Sequence, residues 1–140
     1  MRIFGELKVV YAHCDIPCGI YSAVPSAMAA ETVEKMVILL TGLTPPTSFN
    51  KGEMLVYENS AARMVRVKEE HAELCKKEIL ILWTDYFKPE HLIQFPDLHE
   101  KIWVATKLCS KNKREINLES AKELRQKVAE IGEIFERTKK

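Results

Sequence analysis

The sequence predicts an all-α protein: an antiparallel four-helix bundle preceded by a metal-binding hook loop at its N-terminus. Three observations point there. Apolar residues recur in steps of three and four over four long segments, the helical signature. Gly is scarce, with five in 140 residues, and apolar residues make up 46% of the chain against 29% charged. Breakers cluster between the segments, and neither Gly nor Pro interrupts the longest of them. A chain of this length forms one domain large enough to bury a sizeable core.

The first helix is expected to start near Pro25-Ser26, because Pro suits a first turn and Ser can cap. Met28, Val33, Met36, Val37 and Leu40 form its stripe. It ends at Gly42, and Pro45-Pro46 forbids continuation. Residues 43–52 form a loop. The second helix spans roughly 53–86, with Ala61, Met64, Val65, Ala72, Cys75, Ile79, Leu82, Trp83 and Tyr86 in step and a gap at Lys68. Residues 87–96 connect, with room for one helical turn. The third helix begins near Asp97, where Asp97 and Glu100 match an acidic capping box. Leu98, Ile102, Ala105 and Cys109 follow, and 111–113 break it. Asn117 caps the fourth, whose stripe is Leu118, Ala121, Leu124, Val128, Ile131 and Phe135. Four such helices with short loops pack as a bundle. A bundle alone says nothing about function.

Charge and hydropathy narrow the function classes. The net charge is +1, from 21 basic and 20 acidic residues, which leaves no electrostatic footprint for nucleic acid. The basic residues at 107–114 and at the C-terminal end read as solvated helix ends and a loop. No apolar run approaches the ~20 residues of a membrane span. No nucleic-acid or membrane partner is therefore expected, and the expected location is the cytoplasm. The opening MRIFGELKVVYA places Val10 and Ala12 at −3 and −1 before His13. It is too short and too interrupted for a secretory signal. Cys75 and Cys109 fall on apolar helix faces and are expected to be buried free thiols.

Cys14 and Cys18 have no such face. They lie in HCDIPCGIY, residues 13–21, where Pro17 and Gly19 oppose a helix and favour a loop. Thiolates and imidazole are metal ligands, and His13, Cys14 and Cys18 fall within six residues. Two sulfurs with nitrogens suit Zn, Cu(I), Ni or iron clusters. A tetrahedral zinc site needs a fourth side chain. His71, His91 and His99 are available, but each sits on or beside a helix and reads as surface or helix-facing. Cutting the chain between Ala12 and His13 changes the nitrogen supply, because His13 then offers an α-amine. Amine, deprotonated amide and two thiolates make a planar N₂S₂ set, which is diagnostic of Cu(II) or Ni(II). The imidazole can add an axial fifth ligand.

This segment closely resembles the H-C-D-x-P-C-G-x-Y nickel hook of nickel-containing superoxide dismutases. LWTDYFKP at 82–89, FPDLH at 95–99 and IFERTKK at 134–140 extend the resemblance over 13–140. It implies a four-helix bundle assembled as a homohexamer, made with an N-terminal extension that a maturation protease removes, with a nickel chaperone as a further partner. Residues 1–12 correspond to that extension and 13–140 to the enzyme domain. By the same resemblance, His13 supplies the amine and axial imidazole, Cys14 amide nitrogen and thiolate, and Cys18 the second thiolate. Asp15, Pro17 and Gly19 shape the loop. Tyr21 stands near the open face of the metal, so Asp15 and Tyr21 are the candidate catalytic residues. One nickel per subunit, cycling between Ni(II) and Ni(III), would convert superoxide to oxygen and hydrogen peroxide. Lys88 is a candidate for steering the anion. Tyr86 and Phe87 are candidate packing partners for the hook.

The sequence departs from well-known relatives at two positions. A Glu early in the first helix and an Arg in the second hold the axial imidazole there. Ala29 and His71 stand at these places, which makes His71 a candidate substitute. Two other readings fit the same ligands: a non-enzymatic nickel- or copper-binding bundle, and a thiol switch using Cys14 and Cys18.

Overall fold

The computed structural model describes residues 20–139, and every regular element among them is helical. Helix α1 spans Val24–Thr41. Its N-cap is Ala23, and Ser22 Oγ accepts from the Val24 amide at 3.1 Å. Ser26, the expected cap, lies inside the first turn, where its hydroxyl donates to Ala23 O at 2.8 Å. The helix stops at Gly42, as its sequence predicts.

Helix α2 spans Lys51–Ile81. Asn50 caps it, with Oδ1 accepting from the amides of Gly52 at 2.8 Å and Glu53 at 3.4 Å. That cap sets the helix start two residues before the expected one. At the other end, regular α geometry does not run to Tyr86 as expected. Leu82–Tyr86 is a π-helical turn, closed by the Phe87 amide donating to Leu82 O at 2.9 Å. A π-turn inserts an extra residue and rotates everything after it. Leu82 stays in the core at 2% exposure, while Tyr86 lies against Phe135.

The connector contains α3, Pro89–Gln94. Helix α4 spans Leu98–Arg114. Asp97 does occupy its N-cap position, but its backbone is α-helical and its side chain makes no capping bond. A capping side chain needs an extended backbone. The Asp97 carboxylate instead pairs with Lys101 at 3.2 Å. The break expected at 111–113 is absent, because Asn112 is wholly buried. Its Nδ2 donates to Leu108 O, Ser120 O and Ser120 Oγ at 2.9, 3.1 and 3.0 Å. Helix α5 spans Leu118–Thr138, and Asn117 caps it as expected by accepting from the Ser120 amide at 3.0 Å.

Helix α1 packs on α2 and α5, and α4 packs on the same two. Pairs at two levels fix the antiparallel sense: Lys76 with Ser110 and Glu73 with Lys113, Lys101 with Glu130 and Asn112 with Ser120, and Glu34 with Arg125 while Ala23 lies beside Gly132. The α5 stripe is in the core from Ala121 to Phe135. In α1, Val33 and Val37 are buried as expected, but Met28 is 64% exposed. Ala29 and Ala30 face inward instead, and their small side chains let α1 lie close to its neighbours.

The gap in the α2 stripe is not a gap. Lys68 is 1% exposed. Its Nζ donates to Lys113 O at 2.9 Å and also to Asn112 O, capping the α4 C-terminus where carbonyls lack intrahelical partners. The last turn of α4 therefore lies opposite Lys68, and the N-terminal half of α2 runs on beyond it. That is why Ala61, Met64 and Val65 are half-buried while Ala72, Cys75 and Ile79 are fully buried.

Candidate functional site

The up-and-down connectivity gathers the start of α1, the π-turn, α3, the start of α4 and the end of α5 at one end of the bundle. An aromatic cluster is built there around Tyr86. The Tyr21 ring stands edge-on to it with centroids 5.7 Å apart. Phe135 from α5 lies at 4.5 Å, Phe87 at 5.3 Å and the stacked His91 ring at 5.8 Å. Edge and offset arrangements of this kind match the quadrupoles of the rings.

Hydrogen bonds fix the orientation of the cluster. Thr138 Oγ1 donates to Phe135 O at 2.6 Å, so its one proton is committed. The Tyr86 hydroxyl must then donate to Thr138 Oγ1, at 2.9 Å. The Lys88 amide donates to His91 Nδ1 at 3.1 Å, which puts the proton of a neutral His91 ring on Nε2. Cations surround the cluster. Arg137 lies over the Phe95 ring at 4.6 Å and Lys139 over Phe135 at 4.3 Å, while Lys88 is exposed at the start of α3.

His71 occupies a second position near the start of α1. It lines a depression with Val24, Pro25, Met28 and Ala29. Its Nδ1 donates to Val67 O at 2.8 Å, leaving Nε2 as the acceptor of the neutral ring. Ala29 and His71, the two positions expected to differ from hook-family relatives, thus line one depression between α1 and α2.

Of the sequence-predicted site residues, Tyr21 is described and sits in the cluster. His13, Cys14, Asp15 and Cys18 lie outside the described residues, as does the 1–12 extension. Among the described residues, no group of three His, Cys, Asp or Glu side chains could hold a metal ion. Phe135, Thr138 and His91 were not singled out from sequence as cluster members. Phe135 and Thr138 carried one signal, their place in the family-like run 134–140, whereas His91 lies in the connector outside those runs.

Comparison with known proteins decides the family. The nickel-containing superoxide dismutase family matches residues 8–139. The Streptomyces coelicolor protein named Superoxide dismutase (Ni) is 32% identical over 139 residues, covering 99% of this chain and 97% of its own. The chain belongs to the nickel-containing superoxide dismutase family. The Streptomyces seoulensis relative of the same name is also 32% identical, with the same coverage. The native nickel superoxide dismutase structure superposes with a TM-score of 0.75 at 30% identity, covering 91% of this chain and 100% of its own. An apo structure of nickel superoxide dismutase gives 0.73 at 28% identity, covering 86% and 98%. The helical bundle of this chain is therefore the bundle of that family, and residues 82–89 and 134–139, which carry the aromatic cluster, are among those matched.

Proposed function

We propose that this chain disproportionates superoxide to oxygen and hydrogen peroxide at a nickel ion held by His13, Cys14 and Cys18, after cleavage before His13. It is a nickel-dependent superoxide dismutase by family, and the non-enzymatic metal-binding reading is not favoured. The observation that carries the assignment of the site is the run HCDIPCGIY, which ends on Tyr21, the residue packed on Tyr86. The donor chemistry fits the metal: the thiolates of Cys14 and Cys18, the imidazole and freed amine of His13 and the amide nitrogen between His13 and Cys14 would hold nickel. Nickel, when bound, supplies the electron transfer of both half-reactions by cycling between Ni(II) and Ni(III).

The remaining work falls to the chain's own residues. Tyr21, anchored by the Tyr86 ring, limits access to the hook and orders what approaches it. Asp15 shapes the loop between the two cysteines. Lys88 attracts the anionic substrate, in keeping with the principle that clefts of one charge sign concentrate oppositely charged substrates; superoxide dismutase is itself an example of such steering. His71 holds the His13 imidazole in the place of the acidic and basic residues of relatives.

The chemical reason for cleavage is one atom. In the uncleaved chain the His13 nitrogen is a peptide amide with its lone pair delocalised. Once freed, it is an amine with an ordinary pKa near 7.7–8.0, which a metal can deprotonate near neutral pH. A homohexamer is supported by the exposed apolar strip beside the hook end, where Ile20 is 74%, Val24 60%, Met28 64% and Leu74 40% exposed. Light scattering on nickel-loaded 13–140 tests it, with a monomer as the excluding result.

The decisive experiment compares 1–140 with 13–140 after nickel loading, by metal content and superoxide decay. One nickel per chain and activity are expected from 13–140 only. Equal activity from an intact 1–140, verified by mass spectrometry, sinks the amine-ligand assignment. In the 13–140 background, Cys18→Ser should lose nickel while keeping its helical circular dichroism.

A further inference from the structure

Two thiols remain that the hook does not use. Cys75 on α2 and Cys109 on α4 are both fully buried and both unoxidised. They belong to the same core cluster, and Cys109 is the strongest influence on the Cys75 thiol, which makes the two side chains direct neighbours. The helix register explains the meeting. Lys76 of α2 bonds to Ser110 of α4 at 3.1 Å, one residue along from the two cysteines on each helix. The neighbouring interface positions Ala72 and Ala105 are small and fully buried, so the two helices approach closely there. Cys75 also donates to Ser26 O in the first turn of α1, at 3.5 Å. The pair thus lies under the start of α1, five residues after Tyr21.

We propose that Cys75 and Cys109 are an oxidation site: a dithiol that hydrogen peroxide converts to an intrachain disulfide tying α2 to α4. The inference rests on the proposed function only for its oxidant, since peroxide is the product made at the hook end of the same chain. One sulfur, as thiolate, attacks a peroxide oxygen; an S–O bond forms, the O–O bond breaks, and the departing hydroxide takes up the thiol proton as water. The second sulfur then attacks the resulting sulfenic acid; the S–S bond forms and the second water leaves. Two thiols lose two electrons and two protons, and one peroxide becomes two waters. Burial sets the rate. The neighbouring Cys109 thiol, and then burial, push the Cys75 thiol pKa up, so thiolate is rare until the first turn of α1 lifts and admits water. The cover that slows oxidation also shields the finished disulfide from reductants.

The test uses added hydrogen peroxide on the full chain, so it does not depend on nickel or on activity. After a time course, the protein is unfolded in acid, alkylated and digested with trypsin. Before peroxide, the Glu69–Lys76 and Leu108–Lys111 peptides should both carry the alkyl label. After peroxide they should appear as one cross-linked species, two hydrogens lighter than the unlabelled pair, at the expense of both labelled peptides. Cys109→Ser should abolish that species. Full labelling of both cysteines after peroxide overturns the proposal, as does oxidation of each cysteine singly to sulfinic or sulfonic acid, or cross-linking of Cys75 to Cys14 or Cys18.

Discussion

The Tyr21 ring meets the Tyr86 ring edge-on at 5.7 Å, which fastens the last residue of the hook motif to the π-helical end of α2. Tyr86 is in turn held by its hydroxyl on Thr138, at the end of α5. Tyr21 is therefore linked through Tyr86 to the end of α5 as well, at a residue 52 positions further along the chain than Tyr86. The consequence is that Tyr86 has two separable roles, a ring that supports Tyr21 and a hydroxyl that fixes the ring.

Tyr86→Phe removes the bond to Thr138 and keeps the ring. It should lower stability by about 1 kcal/mol, the usual net contribution of one hydrogen bond. Tyr86→Ala also removes the contacts with Tyr21, Phe87, His91 and Phe135, and should cost about 3 kcal/mol or more. Denaturant midpoints of the two variants check the difference, and equal losses would mean the ring contributes nothing.

His71→Ala is expected to leave nickel content at one per chain in 13–140 while lowering superoxide turnover. Loss of a residue that orients a metal-bound imidazole typically costs about 10–100-fold. The pH–rate profile should also move, which a purely packing role for a half-buried side chain would not produce. An unchanged rate and profile would remove His71 from the site.

Lys68→Met keeps the buried aliphatic stem but takes away the donor to the carbonyls of Asn112 and Lys113. Unpaired buried carbonyls should make the variant less stable by about 1–3 kcal/mol. The burial that holds the Lys68 pKa below its ordinary value offsets part of the loss, since Met carries no charge to desolvate. Hydrogen exchange should locate the effect in the last turn of α4. Loss of protection spread evenly over the bundle would contradict the capping role.

Glu130 accepts from Lys101 at 2.7 Å and Lys127 at 3.0 Å, and these bonds hold its carboxyl below the ordinary carboxylate range. A lowered folded-state pKa means stabilisation that is present at neutral pH and lost as pH falls below the unfolded value of about 4.3. Lys101 is shifted the other way, up, by Glu130 and Asp97, so its share fades only at strongly alkaline pH. Glu130→Gln should therefore cost about 0.5–1 kcal/mol at pH 7, less at high salt, and progressively less as pH falls through the lowered folded-state pKa of Glu130. Thermal midpoints of both proteins across pH 3–7 check the convergence.

Much of this protein is determined by sequence alone, because the controlling physics is local. Apolar steps of three and four, the Asn117 cap and the Gly42 stop fix helices whatever surrounds them. The proposed hook is equally legible, since its candidate ligands His13, Cys14 and Cys18 lie within six residues. Tertiary structure decided what depends on neighbours. Lys68 read as a flaw in a stripe, yet it is buried, because the C-terminal carbonyls of α4 wait opposite it. Met28 read as core, but Ala29, Ala30, Val33 and Val37 form the buried face of α1 and Met28 falls outside it. Asp97 read as a cap, but its backbone conformation and Lys101 took its carboxylate elsewhere. Tyr86 read as the next step of a regular helix; a π-turn, visible only once Phe135 and Tyr21 are packed around it, aims it at those two rings.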